Sequence, residues 1–484
     1  MNYRMMGRFV AQILAIEAVF MLPAMMISIY DRDERAIFGF AATIGVVFLV
    51  VAVLSAVTRR TRRGFYARDG LTCVAVGWIV MSLLGALPFY LSGEIPHYVD
   101  ALFEIVSGFT TTGSSILVDV ERMSRGLLYW RSFSHWLGGM GVLVFLLAIA
   151  PSGGRSGGFT MHLMRAESPG PDVGKLVPKI RQTAMILYVI YIALTGIDIL
   201  FLLAGRMPVF DALCTAFGTA GTGGFGIKAD SLAGYSPYIQ NVTTVFMLLF
   251  GVNFSCYYLL LMRQFGSVFR DEELRLYGGI ILAAITAITL NLRGFYGTLE
   301  ETVRHAAFQV ASIITTSGYA TADFDLWPSF SKTVLVCLMV IGACAGSTGG
   351  GLKCGRALLL LKGLRRNIRQ VLNPQRVELV RINGRCVDER VLANTNAYLA
   401  AYVVILIGSF LVVSLDGFSM TANFTAVLSC FNNIGPGLAE VGPTCSFQGY
   451  SVLSKLVLIL DMLAGRLEIF PILALFSSST WKRK

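Results

Sequence analysis

Apolar residues run in continuous stretches of about twenty along most of the chain, interrupted by short polar turns. The runs are continuous and do not alternate with polar positions, so they predict membrane-spanning helices and not barrel strands. The spacing predicts a first span from about Phe9 to Tyr30 and a second from about Ala36 to Val57, joined by the charged turn Asp31 to Arg35. The first run is long, has no clear small-x-small cleavage site and precedes further spans. It therefore reads as an uncleaved helix and not as a signal peptide.

A four-part pattern follows. In the first part a span (about Leu71 to Leu91) precedes a shorter helix (Tyr98 to Phe109), the small-residue strip Thr110–Ser115, and a second span (about Leu127 to Ala150). The second part has Ala184 to Ala204, a short helix Val209 to Thr219, the strip Gly221–Gly226, and Tyr238 to Met262. The third has Leu276 to Leu292, a short helix Leu299 to Ile314, the strip Thr315–Tyr319, and a span from Phe330. The fourth has Asn396 to Leu415, a short helix Met420 to Phe431, the strip Asn432–Gly437, and Val452 to Phe476. Aligned on Gly113, Gly224, Gly318 and Gly435, the strips lie 111, 94 and 117 residues apart. The chain thus divides into 1–68 (two extra spans) and four repeats: 69–181, 182–275, 276–393 (its last helix broken) and 394–484.

The short helices cannot cross a hydrocarbon core about 30 Å thick, so they must enter and return. Irregular backbone at membrane depth is tolerated only where it lines a cavity or is buried in protein. Span, half-helix, strip, span is the layout of a potassium-channel pore unit. The expected fold is therefore all-α and polytopic, with two N-terminal helices and four such repeats around a pseudo-fourfold pore.

Composition agrees. Of 484 residues, 55% are hydrophobic and 14% charged, against about 25% charged in soluble proteins. The net charge of +11 does not point to nucleic acid, because the bases cluster in short loops between spans: Arg59–Arg63 and Arg68, Arg155 to Arg181, Arg263 to Arg275, and Lys362 to Arg390. This places the N-terminus, the inter-repeat loops and the terminal Lys482–Lys484 in the cytoplasm. Arg122, Arg125 and Arg131 weaken the contrast in the first repeat. Nine scattered cysteines without CxxC spacing suggest neither a disulfide framework nor a zinc site.

A dehydrated cation needs oxygens in place of its water, and backbone carbonyls supply them for potassium. Glycine lets a strip turn its carbonyls inward, and Thr or Ser adds hydroxyl oxygens. Without a carboxylate ring, the strips suit a large monovalent ion. The expected filter residues are Thr111, Thr112, Gly113, Thr222, Gly223, Gly224, Ser317, Gly318, Tyr319, Asn433, Ile434 and Gly435, with K⁺ at Thr112, Gly223, Ser317 and Ile434. In the second repeat Gly223 and Gly224 compete, and Gly224 is aligned with Gly318 because Phe225 then matches Tyr319. The half-helix C-termini would offer negative dipole ends to the ion.

Gly346, Ser347, Thr348, Gly349, Gly350 and Gly351 interrupt a run too long for one straight span, so a flexible flap beneath the filter, a gate, is expected there. The same stretch only faintly resembles a P-loop, and Gly221-x-Gly223-x-x-Gly226 lacks a βαβ unit, so nucleotide sites on this chain are rejected. Arg466 shares the last span with Asp461 and Glu468. Either these acids neutralise it, or it faces the pore and repels the cation until moved; the second reading is favoured. Lys353 is expected to snorkel to the interface, and His135 to be packed and hydrogen-bonded. Histidines at 97, 135, 162 and 305 without HExxH leave little for an intramembrane enzyme.

These strips, with Trp136–Gly141, Ala345–Lys353, Asn432–Gly437 and Ala464–Glu468, resemble the Trk/Ktr/HKT superfamily of potassium transporters, and the two extra spans resemble its bacterial TrkH-type membrane subunit. The resemblance implies gated potassium uptake across the bacterial inner membrane, driven by the membrane potential. It maps the family's intramembrane loop onto Gly346–Gly351 and its pore-blocking arginine onto Arg466. It also implies a homodimer in membrane lipid and a TrkA-type cytoplasmic ring, which would carry ATP/ADP or NAD(H) and dock on Arg59–Arg63 or Lys362–Arg390. H⁺- or Na⁺-coupled symport stands as the alternative, with Asp461 and Glu468 as candidate coupling carboxylates.

Overall fold

The computed structural model describes residues 3–58, 67–141, 180–375 and 378–481. Arg59–Arg63, the loop bases Arg155 to Lys179, His162, Arg376 and Lys482–Lys484 lie outside the described residues. So does the end of the first repeat's second span.

Two N-terminal helices, α1 (Tyr3–Asp31) and α2 (Glu34–Val57), pack side by side. Their tight turn is closed by Asp33, whose carboxylate accepts from the backbone N–H of Arg35 (3.1 Å) and Ala36 (3.2 Å) as an N-cap. Phe38, Leu49 and Val57 of α2 stay exposed, as suits a lipid-facing helix.

The first repeat has α3 (Ala67–Gly85) continued by α4 (Leu87–Leu91), half-helix α5 (Tyr98–Phe109) and α6 (Arg125–Gly139). The second has α7 (Ile180–Ala204), half-helix α8 (Val209–Gly221), and α9 (Pro237–Phe250) with α10 (Phe254–Leu261); the short α11 (Phe265–Phe269) leads onward. The third has α12 (Glu272–Asn291), half-helix α13 (Leu299–Ile314), and α14 (Ser329–Ile341) with α15 (Cys354–Leu372). The fourth has α16 (Glu389–Val413), half-helix α17 (Met420–Asn432), and α18 (Val452–Arg466) with α19 (Phe470–Phe476), then α20 (Ser478–Trp481). The one sheet among the described residues is a hairpin, Arg381–Ile382 with Arg385–Cys386, between the third and fourth repeats. Six helices are long and apolar enough to cross a membrane among the described residues, or seven if α9 and α10 count as one.

Three spans expected to be straight or broken elsewhere need correction. The run Tyr238 to Met262 is not one helix: α9 and α10 meet at 89°. Asn253 caps α10 by accepting from Ser255 N (2.9 Å), and Phe254 N donates to Gly346 O (3.1 Å), so the break is docked on the third repeat. In the third repeat the helix ends at Ile341, five residues before Gly346, where the break was expected to begin. There Gly342 (φ +73) lies against Gly351, whose added Cβ would sit 2.9 Å from the Gly342 Cα. The run Val452 to Phe476 also breaks, at Leu467–Ile469, where Glu468 (φ +61) and Ile469 (φ +64) take left-handed backbone.

Candidate functional site

Each half-helix ends in the same hydrogen-bonded motif. The N–H of Thr112, Gly223, Ser317 and Ile434 donates to the carbonyl five residues back: Ser107 (2.8 Å), Gly218 (2.8 Å), Ser312 (2.8 Å) and Ser429 (3.0 Å). The preceding N–H, of Thr111, Thr222, Thr316 and Asn433, bonds three residues back at 3.1 to 3.3 Å. This is the Schellman arrangement, which satisfies the orphan carbonyls of a helix end by turning one residue left-handed. Thr111, Thr222, Thr316 and Asn433 are that residue, with φ between +55° and +59°. Glycine usually fills the position, and a side chain there costs about 1–2 kcal/mol. Three β-branched threonines held in this conformation mark a constraint beyond simple chain reversal.

Two residues further on, Gly113, Gly224, Gly318 and Gly435 again have positive φ, +82°, +71°, +75° and +110°. The conformation is shared, so Gly224, and not Gly223, is the second repeat's counterpart of Gly113. A Cβ on Gly113 would lie 2.0 Å from Gly223 O; on Gly224, 1.7 Å from Ser317 O; on Gly318, 2.1 Å from Ile434 O; on Gly435, 3.0 Å from Thr112 O. The contacts run from repeat 1 to 2, 2 to 3, 3 to 4 and 4 back to 1. Four strips therefore form a closed ring, in which each glycine lies against the carbonyl oxygen of its neighbour.

Side chains brace this ring between repeats. Asn433 Nδ2 donates to Thr112 Oγ1 (2.9 Å), and Ser114 Oγ to Gly435 O (2.9 Å), tying repeats 4 and 1. Tyr319 Oη donates to Thr215 O (3.0 Å), tying 3 to 2, while its carbonyl accepts from Ser312 Oγ (2.6 Å). Tyr319 thus engages protein at both ends. His135 is buried; its Nε2 accepts from Phe225 N (3.3 Å), which leaves Nδ1 to donate to Gly108 O (2.8 Å). Glu104 and Arg131 form a buried pair at 2.5 Å beside strips 1 and 2. On the side where the half-helices begin, a cavity of about 310 Å³ opens over Gly113, Gly224, Gly318 and Gly435.

On the opposite side, residues 342–353 fold back as an irregular loop. Leu352 N returns to Val340 O (3.2 Å) and Cys354 N to Ala343 O (2.9 Å), so α15 resumes beside the end of α14. Gly350 N donates to Thr316 Oγ1 (2.7 Å), and a Cβ on Gly350 would meet Asn432 O at 2.2 Å. The loop is thus pressed against the bases of strips 3 and 4. Arg466 reaches it from the fourth repeat: Nη1 donates to Thr348 O (2.9 Å), and Nη2 to Gly139 O (2.6 Å) and to Gly138 O. One guanidinium therefore joins carbonyls of repeats 1 and 3.

The acids expected near Arg466 are engaged by other helices: Asp461 accepts from Ser409 Oγ of α16 (2.7 Å), and Glu468 pairs with Arg356 of α15. Lys353 does not snorkel. It is buried, and its Nζ bonds Gly349 O inside the loop, because doubling back carries it under the strips and away from the interface. Glu104, Arg131, Ser114, Thr316 and Asn433 Nδ2 join the site without having been singled out for these contacts. For the Glu104–Arg131 pair, a signal was present: two ionisable residues in otherwise apolar segments of one repeat.

Comparison with known proteins agrees over nearly the whole chain. The TrkH family model, described as a cation transport protein, matches residues 36–292 and 294–483. The Trk system potassium uptake protein TrkH of Salmonella typhimurium is 36% identical over the full length of both chains, and that of Escherichia coli K12 is 35% identical over the same extent. The crystal structure of the potassium transporter TrkH from Vibrio parahaemolyticus superposes with a TM-score of 0.88 at 31% identity, covering all of both chains.

Proposed function

The chain belongs to the TrkH family of cation transport proteins, a transport family and not an enzyme family, and from that premise we propose that it carries potassium into the cell through the ring of strips. The observation that carries this reading is the closed cycle of glycine-to-carbonyl contacts through Thr112, Gly223, Ser317 and Ile434. A ring of backbone carbonyls can replace the hydration shell of a monovalent cation. The four half-helices end at the ring, so their C-terminal dipoles favour positive charge there. The Thr111 hydroxyl, buried and without a hydrogen-bond partner among the described residues, is a further oxygen at this level.

Selection and control sit at different depths in this reading. The ring chooses the ion. The loop 342–353 and Arg466 close the path beneath it, Arg466 acting as both a plug and a tether across repeats 1, 3 and 4. Opening requires Arg466 to release Thr348, Gly138 and Gly139, which lets the loop retract. The inward membrane potential supplies about 2.3 kcal/mol per charge per 100 mV, so uptake needs no hydrolysis by this chain. Channel-like movement is favoured over H⁺ or Na⁺ symport because none of the four strips carries a carboxylate and Glu468 is paired with Arg356. The protein would lie in the bacterial inner membrane with both termini cytoplasmic, as a homodimer. A TrkA-type ring carrying ATP/ADP or NAD(H) would bear on the hairpin and on α15.

The test is ion flux in proteoliposomes with K⁺, Rb⁺ and Na⁺ under imposed pH gradients. K⁺ flux that follows voltage and ignores the pH gradient is expected; flux driven by a pH gradient at zero voltage would establish symport instead. Gly318→Ser places an atom 2.1 Å from Ile434 O and should lower K⁺ over Na⁺ preference. An unchanged preference would remove the ring as the selective element.

A further inference from the structure

The ring is fourfold in backbone but not in charge. Nine residues before the strip glycines stand Glu104, Thr215, Gln309 and Ala426, so one half-helix alone carries an ionisable group at this position. Glu104 is fully buried, and its carboxylate is saturated. It accepts from Ser115 Oγ (2.9 and 3.2 Å), from Ile116 N (2.9 Å) and from Arg131 Nε (2.5 Å). Ser115 and Ile116 are the continuation of strip 1 past Gly113. Arg131 is also buried; its Nη1 donates to Gly226 O (2.8 Å), and its guanidinium lies 3.5 Å over the Phe225 ring. Phe225 and Gly226 are the continuation of strip 2 past Gly224. Arg131 moreover lines the cavity over the ring.

A two-residue bridge therefore runs from strip 1 through Glu104 and Arg131 to strip 2, at the mouth the cation would use. Its charges matter as much as its bonds. A bare guanidinium there would repel the cation, since a fixed positive charge in a narrow low-dielectric passage is a barrier to cations. The carboxylate cancels that field, and the planar fork of arginine lets one side chain bond the acid and the Gly226 carbonyl together.

We propose that Glu104 and Arg131 act as a charge-compensated clamp that fixes the spacing of strips 1 and 2 and cancels the arginine's own field at the mouth of the ring, a positioning and specificity-determining pair for the transported cation. This rests on the reading of the ring as the ion-selective element.

The test uses the full-length protein in proteoliposomes, with K⁺ and Na⁺ flux measured for Glu104→Gln, Arg131→Met and the double variant. Glu104→Gln leaves the guanidinium uncompensated and should cut K⁺ flux at least tenfold. The double variant removes both charges and should recover most of that flux while keeping a reduced K⁺ over Na⁺ preference, because the strips are no longer tied. A merely structural pair gives a double variant no better than Glu104→Gln, and that result overturns the proposal, as does native flux in Glu104→Gln. If Glu104→Gln does not insert, Arg131→Lys decides: it keeps the charge but cannot span acid and carbonyl together, so selectivity should fall by a larger factor than flux. Unchanged selectivity in Arg131→Lys overturns the clamp. A native preference in Gly318→Ser would instead overturn the ring itself, so the two failures are distinguishable.

Discussion

Replacing Gly224 by Ala perturbs the ring at its tightest point. The added Cβ would stand 1.7 Å from Ser317 O, where real Cβ contacts do not fall below 3.0 Å. The neighbouring carbonyl must therefore retreat by about 1.3 Å, the difference between those two distances. It has little freedom to do so, because Ser317 N is bonded to Ser312 O at 2.8 Å and Ser317 Oγ to Thr315 Oγ1 at 2.9 Å. Alanine at φ +71° adds about 1–2 kcal/mol for left-handed backbone. Bending a backbone angle by about 15° to relieve the contact costs about 4 kcal/mol. If only about 2 kcal/mol of this reaches the bound ion, K⁺ flux falls about thirtyfold, with a parallel loss of K⁺ over Na⁺ preference. The assay is K⁺ and Na⁺ uptake into vesicles, normalised to folded protein. Gly408→Ala in α16, where a Cβ meets nothing within 4 Å, is the control and should behave as native. Native flux and selectivity in Gly224→Ala would refute the assignment of the ring as the ion site.

Arg466→Ala removes a charged donor from three carbonyls; at about 1.5–3 kcal/mol net for a charge-assisted bond, the loss of even one should raise basal flux about tenfold. Arg466→Lys should fall between, since lysine lacks the fork; equal or lower flux in the alanine variant would remove the gate. Arg356→Met leaves Glu468 unpaired beside the left-handed kink and should lower thermal stability by about 1–3 kcal/mol, read from the unfolding midpoint in detergent. Cys386 in the hairpin and Cys445 beyond the fourth strip are both exposed. An impermeant maleimide should label Cys445 in intact cells and Cys386 only after permeabilisation; the reverse pattern would invert the proposed orientation.

The half-helices Tyr98–Phe109 and Leu299–Ile314 were legible in the sequence. They depend on local quantities: the length of an apolar run, and the small residues that end it. The same locality explains what was missed. Nothing within Tyr238 to Met262 demands a right-angled break; it is accompanied by the docking of Phe254 N on Gly346 O, ninety-two residues away. Local preference opposes left-handed backbone at Ile469, and the Glu468–Arg356 pair accompanies it from another repeat. The long side chain of Lys353 was expected to reach the interface, whereas the folded loop gave it a carbonyl.

By itself the sequence determined that four strips enter the membrane and that glycine stands in each, since hydropathy and backbone freedom are properties of single segments. Only the tertiary structure decided which glycine faces which carbonyl, and that Arg466 bonds carbonyls rather than the acids beside it. Those choices depend on contacts between residues about a hundred or more positions apart, whose free energy exists only once the ring has closed.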